Sequence, residues 1–201
     1  MTLRADYQAI LEYVPQGIRI LDIGCSDGQL MEILQNERNA ETRGLELSQE
    51  GVNACVAKGL AVIQGDADKD LSLFPDDSFD LVILSNTIQA TMNPKSVLQE
   101  IHRIGKSAIV SLPNFGCLQV WSYLAIHGRM PVTKDLPDTW YNTPNIHFCT
   151  IQDFADLAGE TGFKIKALMP INGAKRGKIL QKPNLLTNLF AQRAVFVLER
   201  V

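Results

Sequence analysis

Residues 18–28, Ile-Arg-Ile-Leu-Asp-Ile-Gly-Cys-Ser-Asp-Gly, constrain the fold of this chain more than any other stretch. The β-branched, apolar run from Ile18 to Ile23 reads as a buried strand. It ends at Gly24, and a helical pattern from Gln29 to Asn36 follows at once. Strand, glycine turn and helix in that order place the turn at the carboxyl edge of a parallel sheet, where open α/β folds bind ligands. Gly24 and Gly28 carry no Cβ, so the turn can be tight and a ligand can lie against bare backbone. Asp22 and Asp27 bring two carboxylates to the same place. They suit a ligand with ammonium or sulfonium charge and would repel a pyrophosphate.

The glycine spacing separates two kinds of nucleotide site. A dinucleotide fold uses G-x-G-x-x-G, but the corresponding positions here are Gly24, Ser26 and Gln29. Gly24-x-x-x-Gly28 instead resembles motif I of the class I S-adenosylmethionine-dependent methyltransferases. The resemblance implies S-adenosylmethionine or S-adenosylhomocysteine as the cofactor, with Asp22, Gly24, Cys25, Ser26, Asp27 and Gly28 around it. Three further markers follow in order. Arg43 to Ser48 reads as a second strand, and Glu46 lies about 20 residues past the turn, the spacing of a carboxylate that accepts ribose hydroxyls. Taken alone, Glu46 also suits a solvated strand end; Leu47 adjoins it. Leu60 to Ala67 is a short strand, and the resemblance implies that Asp66, with Ala67 beside it, reads the adenine amino group; Asp68 is a weaker candidate. Phe79 to Asn86 is a near-continuous apolar run, as expected for a strand buried on both faces. Asn86 would border the cofactor, and the substrate side would begin there.

The remaining chain predicts an α/β, Rossmann-like sheet, mostly parallel, of seven strands with an antiparallel edge pair and flanking helices. Leu3 to Val14 is an amphipathic helix with Leu3, Tyr7, Ile10, Leu11 and Val14 on one face. Ser48 caps a helix from Gln49 to Lys58, stopped by Gly59. Pro94 starts a helix with Val97, Leu98, Ile101 and Ile104 inward, ended by Gly105. Ser107 to Leu112 is a fifth strand, Thr150 caps a helix running to Glu160, and Phe163 to Ile171 and Arg193 to Val201 form the edge pair. With 201 residues the chain is expected to form one domain, with an insertion at 114–149 and a long loop at 172–192.

Composition narrows the function classes. A net charge of −3 offers no broad basic surface for nucleic acid. Cys25, Cys55, Cys117 and Cys149 are scattered without a C-x-x-C pair, so neither a zinc site nor a disulfide framework is expected, and a reducing cytoplasm fits. No signal-peptide pattern and no membrane-spanning apolar run is present, so cytoplasmic localisation is the expectation. Asn86 is followed by Thr87-Ile88 rather than Pro-Pro-Tyr, which argues against methylation of nucleic-acid base amino groups.

The insertion holds both tryptophans, Trp121 and Trp140, with Met130 and Tyr141. Cys117, Leu118, Trp121, Leu124 and Ala125 make a helical stripe that is expected to pack on the sheet, though its place after the fifth strand also suits a lid or a partner face. The loop at 172–192 carries Lys175, Arg176, Lys178 and Lys182, then Leu185, Leu186, Leu189 and Phe190, which reads as surface or as a docking arm. Among the histidines, His102 is expected at the surface and His127 at a helix end. His147 is a weak candidate for a general base, and a histidine hydrogen-bonded into its loop is the favoured reading.

Over its whole length the chain is similar to the MetW family of methionine-biosynthesis proteins. The resemblance rests on Arg19-Ile-Leu-Asp-Ile-Gly-Cys-Ser-Asp-Gly28, Gly44-Leu-Glu-Leu47 and Phe79-Asp-Leu-Val-Ile-Leu-Ser-Asn-Thr-Ile-Gln-Ala90. Ser111-Leu-Pro-Asn-Phe-Gly116, Pro131-Val132 and Trp140-Tyr-Asn-Thr-Pro-Asn-Ile-His147 are more diagnostic, because methyltransferases in general do not share them. It implies a partner, the MetX-type homoserine O-acyltransferase, and a route by which S-adenosylmethionine reports on methionine supply. Two functions therefore compete: a binding subunit that supports or regulates the acyltransferase, and an active small-molecule methyltransferase. The lack of an evident acid–base pair favours the first without deciding, because methyl transfer can run on proximity and alignment.

Overall fold

The computed structural model describes residues 3–133 and 136–201. Strands β1 (Arg19–Ile23), β2 (Glu41–Glu46), β3 (Val62–Gln64), β4 (Leu81–Ser85), β5 (Ser107–Pro113), β6 (Phe163–Asn172), β7 (Lys175–Arg176) and β8 (Arg193–Arg200) join in one sheet. Their order is β3-β2-β1-β4-β5-β8-β6-β7. The first five are parallel, and β8 enters antiparallel between β5 and β6. The expected edge pair is therefore present, extended by the two-residue β7 that folds back on Ile171 and Asn172.

Helices α1 (Ala5–Tyr13) and α2 (Gln29–Arg38) cover one face, and α4 (Pro94–Ile104) and α6 (Ile151–Glu160) the other. Alternation along each strand feeds both layers. Ile20 and Ile83 pack with Ile10, Leu30 and Leu34, while their neighbours Leu21 and Val82 pack with Leu98, Ile101 and Phe154. The α4 face expected from sequence is the buried one, and Pro94 is its first residue. Thr150 and Asp153 cap α6 reciprocally, the hydroxyl accepting from the Asp153 amide and the carboxylate accepting from the Thr150 amide. On α1 the buried face is rotated from the expected one, since Asp6 and Ala9 are buried while Leu11 is only partly so.

The chain runs outward from β1 to β3, then returns to lay β4 against the other side of β1. That reversal opens a crevice beyond the carboxyl ends of β1 and β4. Helix α3 (Gln49–Ala57) follows β2, with Ser48 as its N-cap accepting from the Gly51 amide at 3.1 Å.

The insertion forms α5 (Leu118–His127) and then irregular chain, and the loop at 172–192 forms α7 (Leu185–Phe190). The expected packing of the α5 stripe on the sheet is not what forms. Cys117 and Val120 turn inward with Leu136, whereas Trp121 is 61% exposed and Leu118, Leu124 and Ala125 also face out. The helix is apolar nearly all round, so its sequence does not single out the face that turns inward.

Candidate functional site

The crevice holds a cavity of about 490 Å³, within the range of small-molecule sites. Gly24, Leu45, Glu46, Leu47, Asp66, Ala67, Asp68, Asn86 and Thr87 line it from the strand ends. Met92, Pro144 and Ile146 close it from the far side. A second depression, about 530 Å³, lies between α6 and the start of β6, away from those strand ends. Its Lys166–Glu199 ion pair at 2.6 Å already satisfies the nearest opposite charges.

The backbone of the turn is shaped by residues in the left-handed region. Gly24 has φ +72°, Ser26 +52° and Gly28 +76°. A Cβ on Gly24 would lie 2.6 Å from Thr87 Oγ1, and one on Gly28 would lie 2.9 Å from Cys55 Sγ. Both positions need glycine for conformation and for space. The Glu46 carboxylate stitches this turn to the start of α3. It accepts from the Ser26 amide at 2.8 Å, the Ser48 amide at 2.9 Å and the Ser48 hydroxyl at 2.8 Å. A carboxylate offers about four acceptor directions, so about one remains beyond these three bonds.

Asp22 lies under the turn, 1% exposed, and its Oδ1 has no hydrogen-bond partner. Burial, and then the nearby negative charge of Glu46, push its carboxyl up to about 7. Asp66 keeps the opposite character. The Lys69 ammonium at 2.8 Å and the Asp68 amide at 3.0 Å hold it below the usual carboxylate range.

The structure thus brings Gly24, Glu46, Leu47, Asp66, Ala67 and Asn86 together on one cavity, with Asp22 beneath it. The other expected site residues lie elsewhere on the turn. Cys25 is buried with its Sγ 3.9 Å from Cys55 Sγ, and burial pushes its thiol up strongly. Asp27 is exposed and paired with Lys58 at 3.2 Å, so one carboxylate rather than two faces inward beneath the turn. Ser26 contributes its amide to Glu46, and Gly28 starts α2. His147 does not line this cavity: its Nε2 lies 3.3 Å from the Met92 carbonyl, beside a smaller apolar pocket that it shares with Cys149 and Phe154. His102 packs edge-on against Phe163 at 5.1 Å, and His127 stacks on Tyr123 at the end of α5.

Three features escape sequence patterning. Thr87 fills the space beside Gly24 and donates to the Ile23 carbonyl at 3.0 Å. Asp68 caps the Met92 and Asn93 amides at 2.7 and 2.8 Å. Asp6 is 1% exposed, bonded to Arg4 through both oxygens and to Asn86 Nδ2 at 3.4 Å, which ties α1 to the crevice rim. An aspartate beside the apolar face of the first helix is the one sign of this in the sequence.

Among the described residues, no helix is long and apolar enough to cross a membrane. Among them too, no group of three or more His, Cys, Asp or Glu is placed to hold a metal ion.

Among solved structures, the fold is similar to an S-adenosylmethionine-dependent methyltransferase, possible histamine N-methyltransferase, of Thermotoga maritima. The TM-score is 0.72 at 18% identity, covering 98% of this chain and 88% of that one. An S-adenosylmethionine-dependent methyltransferase of Mesorhizobium loti gives 0.69 at 18% identity, covering 98% of each chain. At such identities the likeness is one of fold. A curated relative in Rhodopirellula baltica, the bifunctional methionine biosynthesis protein MetXA/MetW, is 38% identical over 169 residues, 80% of this chain. The aligned stretch makes up 27% of that longer protein. The profile of the family described as methionine biosynthesis protein MetW matches residues 4–198, and the chain belongs to that family.

Proposed function

We propose that the crevice binds S-adenosylmethionine or S-adenosylhomocysteine, and that the chain acts as a ligand-responsive subunit supporting a MetX-type homoserine O-acyltransferase. The observation that carries the ligand is the buried, unpaired Asp22 Oδ1 under a cavity-lining Gly24, with Glu46 at the end of the neighbouring strand. A buried carboxylate without a partner is costly unless a cation or donor approaches it. The ligand's amino-acid end supplies an ammonium, its ribose supplies a hydroxyl to the acceptor direction left on Glu46, and its adenine amino group suits Asp66. When bound as S-adenosylmethionine, the ligand would supply an electrophilic methyl group.

The chain's own residues do less for transfer than for binding. Thr87 and Asn86 shape the turn side of the cavity, but no histidine lines it. A positioned general base is worth roughly 10²–10⁴-fold in rate, and the three carboxylates that line the cavity are already engaged, Glu46 and Asp68 by backbone amides and Asp66 by the Lys69 ammonium. The partner reading is supported by the fused relative, whose name joins MetXA to MetW in one polypeptide. The docking surface on this reading includes the insertion at 114–149 and the arm from Lys175 to Phe190, where exposed Trp121, Trp140, Leu185 and Phe190 concentrate.

Two measurements on the purified chain test this. Calorimetric titration with S-adenosylhomocysteine is expected to show one site per chain. Size-exclusion chromatography with the homoserine O-acyltransferase of the same genome is expected to show a stable complex. Absence of ligand binding overturns the first half, and separate elution the second.

A further inference from the structure

The segment from Thr143 to Phe148 runs without helix or strand between two unlike surfaces. From Thr143 to Ile146 its residues alternate as an extended chain does, and beyond Ile146 the alternation breaks. Pro144 and Ile146 line the cavity described above. Thr143, Asn145 and Phe148 line the other side, a shallow groove shared with Phe115, Met130 and Trp140. Phe148 packs on Phe115 with ring centres 4.6 Å apart and is still 56% exposed, and Trp140 is 72% exposed. One strap therefore forms the far wall of the crevice on one side and the floor of an exposed aromatic face on the other.

The ties of this strap lead back to the crevice. The amides of Ile146 and His147 both donate to the Gln89 carbonyl, each at 3.0 Å. The Gln89 side-chain amide donates to the Asn86 carbonyl at 2.7 Å, and Asn86 lines the cavity. His147 Nε2 lies 3.3 Å from the Met92 carbonyl, whose residue is held by Asp68, another lining residue. A segment held by a few hydrogen bonds and by no helix or strand ladder belongs to the part of a structure that opens and closes most easily. Contacts that form at Ile146 or Asn86 reach the aromatic face without crossing the core.

We propose that the strap at 143–148 couples occupancy of the crevice to docking of the acyltransferase on the aromatic face formed by Phe148, Trp140 and Met130. This rests on the reading given under Proposed function. The choice of occupant follows from the fused relative, since joining the two parts in one chain holds them at high effective concentration. Coupling by a shared wall is reciprocal: each partner changes the other's affinity by the same factor.

The test has two arms on the full chain. Hydrogen exchange at the Ile146 and His147 amides is followed with and without S-adenosylhomocysteine. Calorimetry then gives the affinity for S-adenosylhomocysteine with and without saturating acyltransferase. The expectation is that the ligand changes exchange at both amides at least fivefold, and that the acyltransferase shifts ligand affinity at least about fivefold. Phe148→Ala is expected to weaken acyltransferase association. Ligand binding with unchanged exchange at both amides overturns the strap's role. Binding of both partners with ligand affinity constant within twofold overturns the coupling. A responsive strap with no acyltransferase association overturns the partner reading, and the coupling with it.

Discussion

Thr87 occupies the space that a Cβ on Gly24 would need, with Oγ1 2.6 Å and Cγ2 2.7 Å from that position. The same hydroxyl donates to the Ile23 carbonyl at 3.0 Å, so the threonine is pinned where it blocks growth of the turn. Gly24→Ala combines a left-handed backbone with a clash, and a loss of about 2 kcal/mol or more is expected in denaturant unfolding. Adding Thr87→Ala is expected to recover the steric part alone. Equal stability of Gly24→Ala and wild type would contradict this geometry.

Asp22 makes stability depend on pH in an unusual direction. Its folded carboxyl titrates at about 7 against an ordinary value of 3.8, because it is buried and near Glu46. Between those values the folded chain keeps a proton that the unfolded chain has released. Stability from this group is therefore greatest at acid pH, declines as pH rises through the window, and the full penalty applies above about 7. Asp22→Asn removes the penalty. Thermal unfolding of the two proteins at pH 5 and pH 8 is expected to show the variant gaining on wild type at pH 8, by an amount on the order of a few kcal/mol. The same variant is expected to bind S-adenosylhomocysteine more weakly. A variant that is less stable than wild type at pH 8 would refute the unpaired-charge account.

Much of this site was legible in sequence because strand, glycine turn and acidic residue recur with fixed spacing. Gly24, Glu46, Asp66 and Asn86 converge on one cavity because each follows a parallel strand, so the sheet itself aligns them. Asp27 differs because a residue inside a turn can face either way, and Lys58 lies on the solvent side. Cys25 points into the small cluster of Met31, Cys55 and Leu60 for the same reason. The place of the insertion after the fifth strand suits a lid, but that Pro144 and Ile146 form the wall was not legible, since an irregular strap has no periodicity and meets the crevice only through long-range contact. The exposed face of α5 was misjudged because an apolar stripe does not reveal whether a partner or the sheet covers it.

Trp121 and Phe190 test the docking surface. Both are more than half exposed, at 61% and 54%, so neither is a core residue. Alanine at either position is expected to leave thermal stability within about 0.5 kcal/mol. Each is expected to weaken association with the acyltransferase by about tenfold or more if it is an anchor. Unchanged association in both variants, measured by surface plasmon resonance, would remove these two helices from the interface.

His147 is expected to be dispensable for any methyl transfer the chain performs, since its ring faces the Met92 carbonyl outside the cavity. A broad acceptor screen following S-adenosylhomocysteine release is expected to give turnover below about 0.1 s⁻¹, well under ordinary enzyme rates. Faster turnover that is lost in His147→Ala would establish an active methyltransferase instead.

The central claim is that the crevice takes an adenosyl ligand through Glu46, and calorimetry on wild type and Glu46→Ala tests it most directly. The variant removes the acceptor that binds the Ser26 and Ser48 amides and faces the cavity. Wild type is expected to bind S-adenosylhomocysteine at one site, and Glu46→Ala to lose about 1.5–3 kcal/mol, roughly 10- to 150-fold in Kd. Circular dichroism matched to wild type would show that the fold is retained. Equal dissociation constants for the two proteins, or no binding by wild type, would contradict the account.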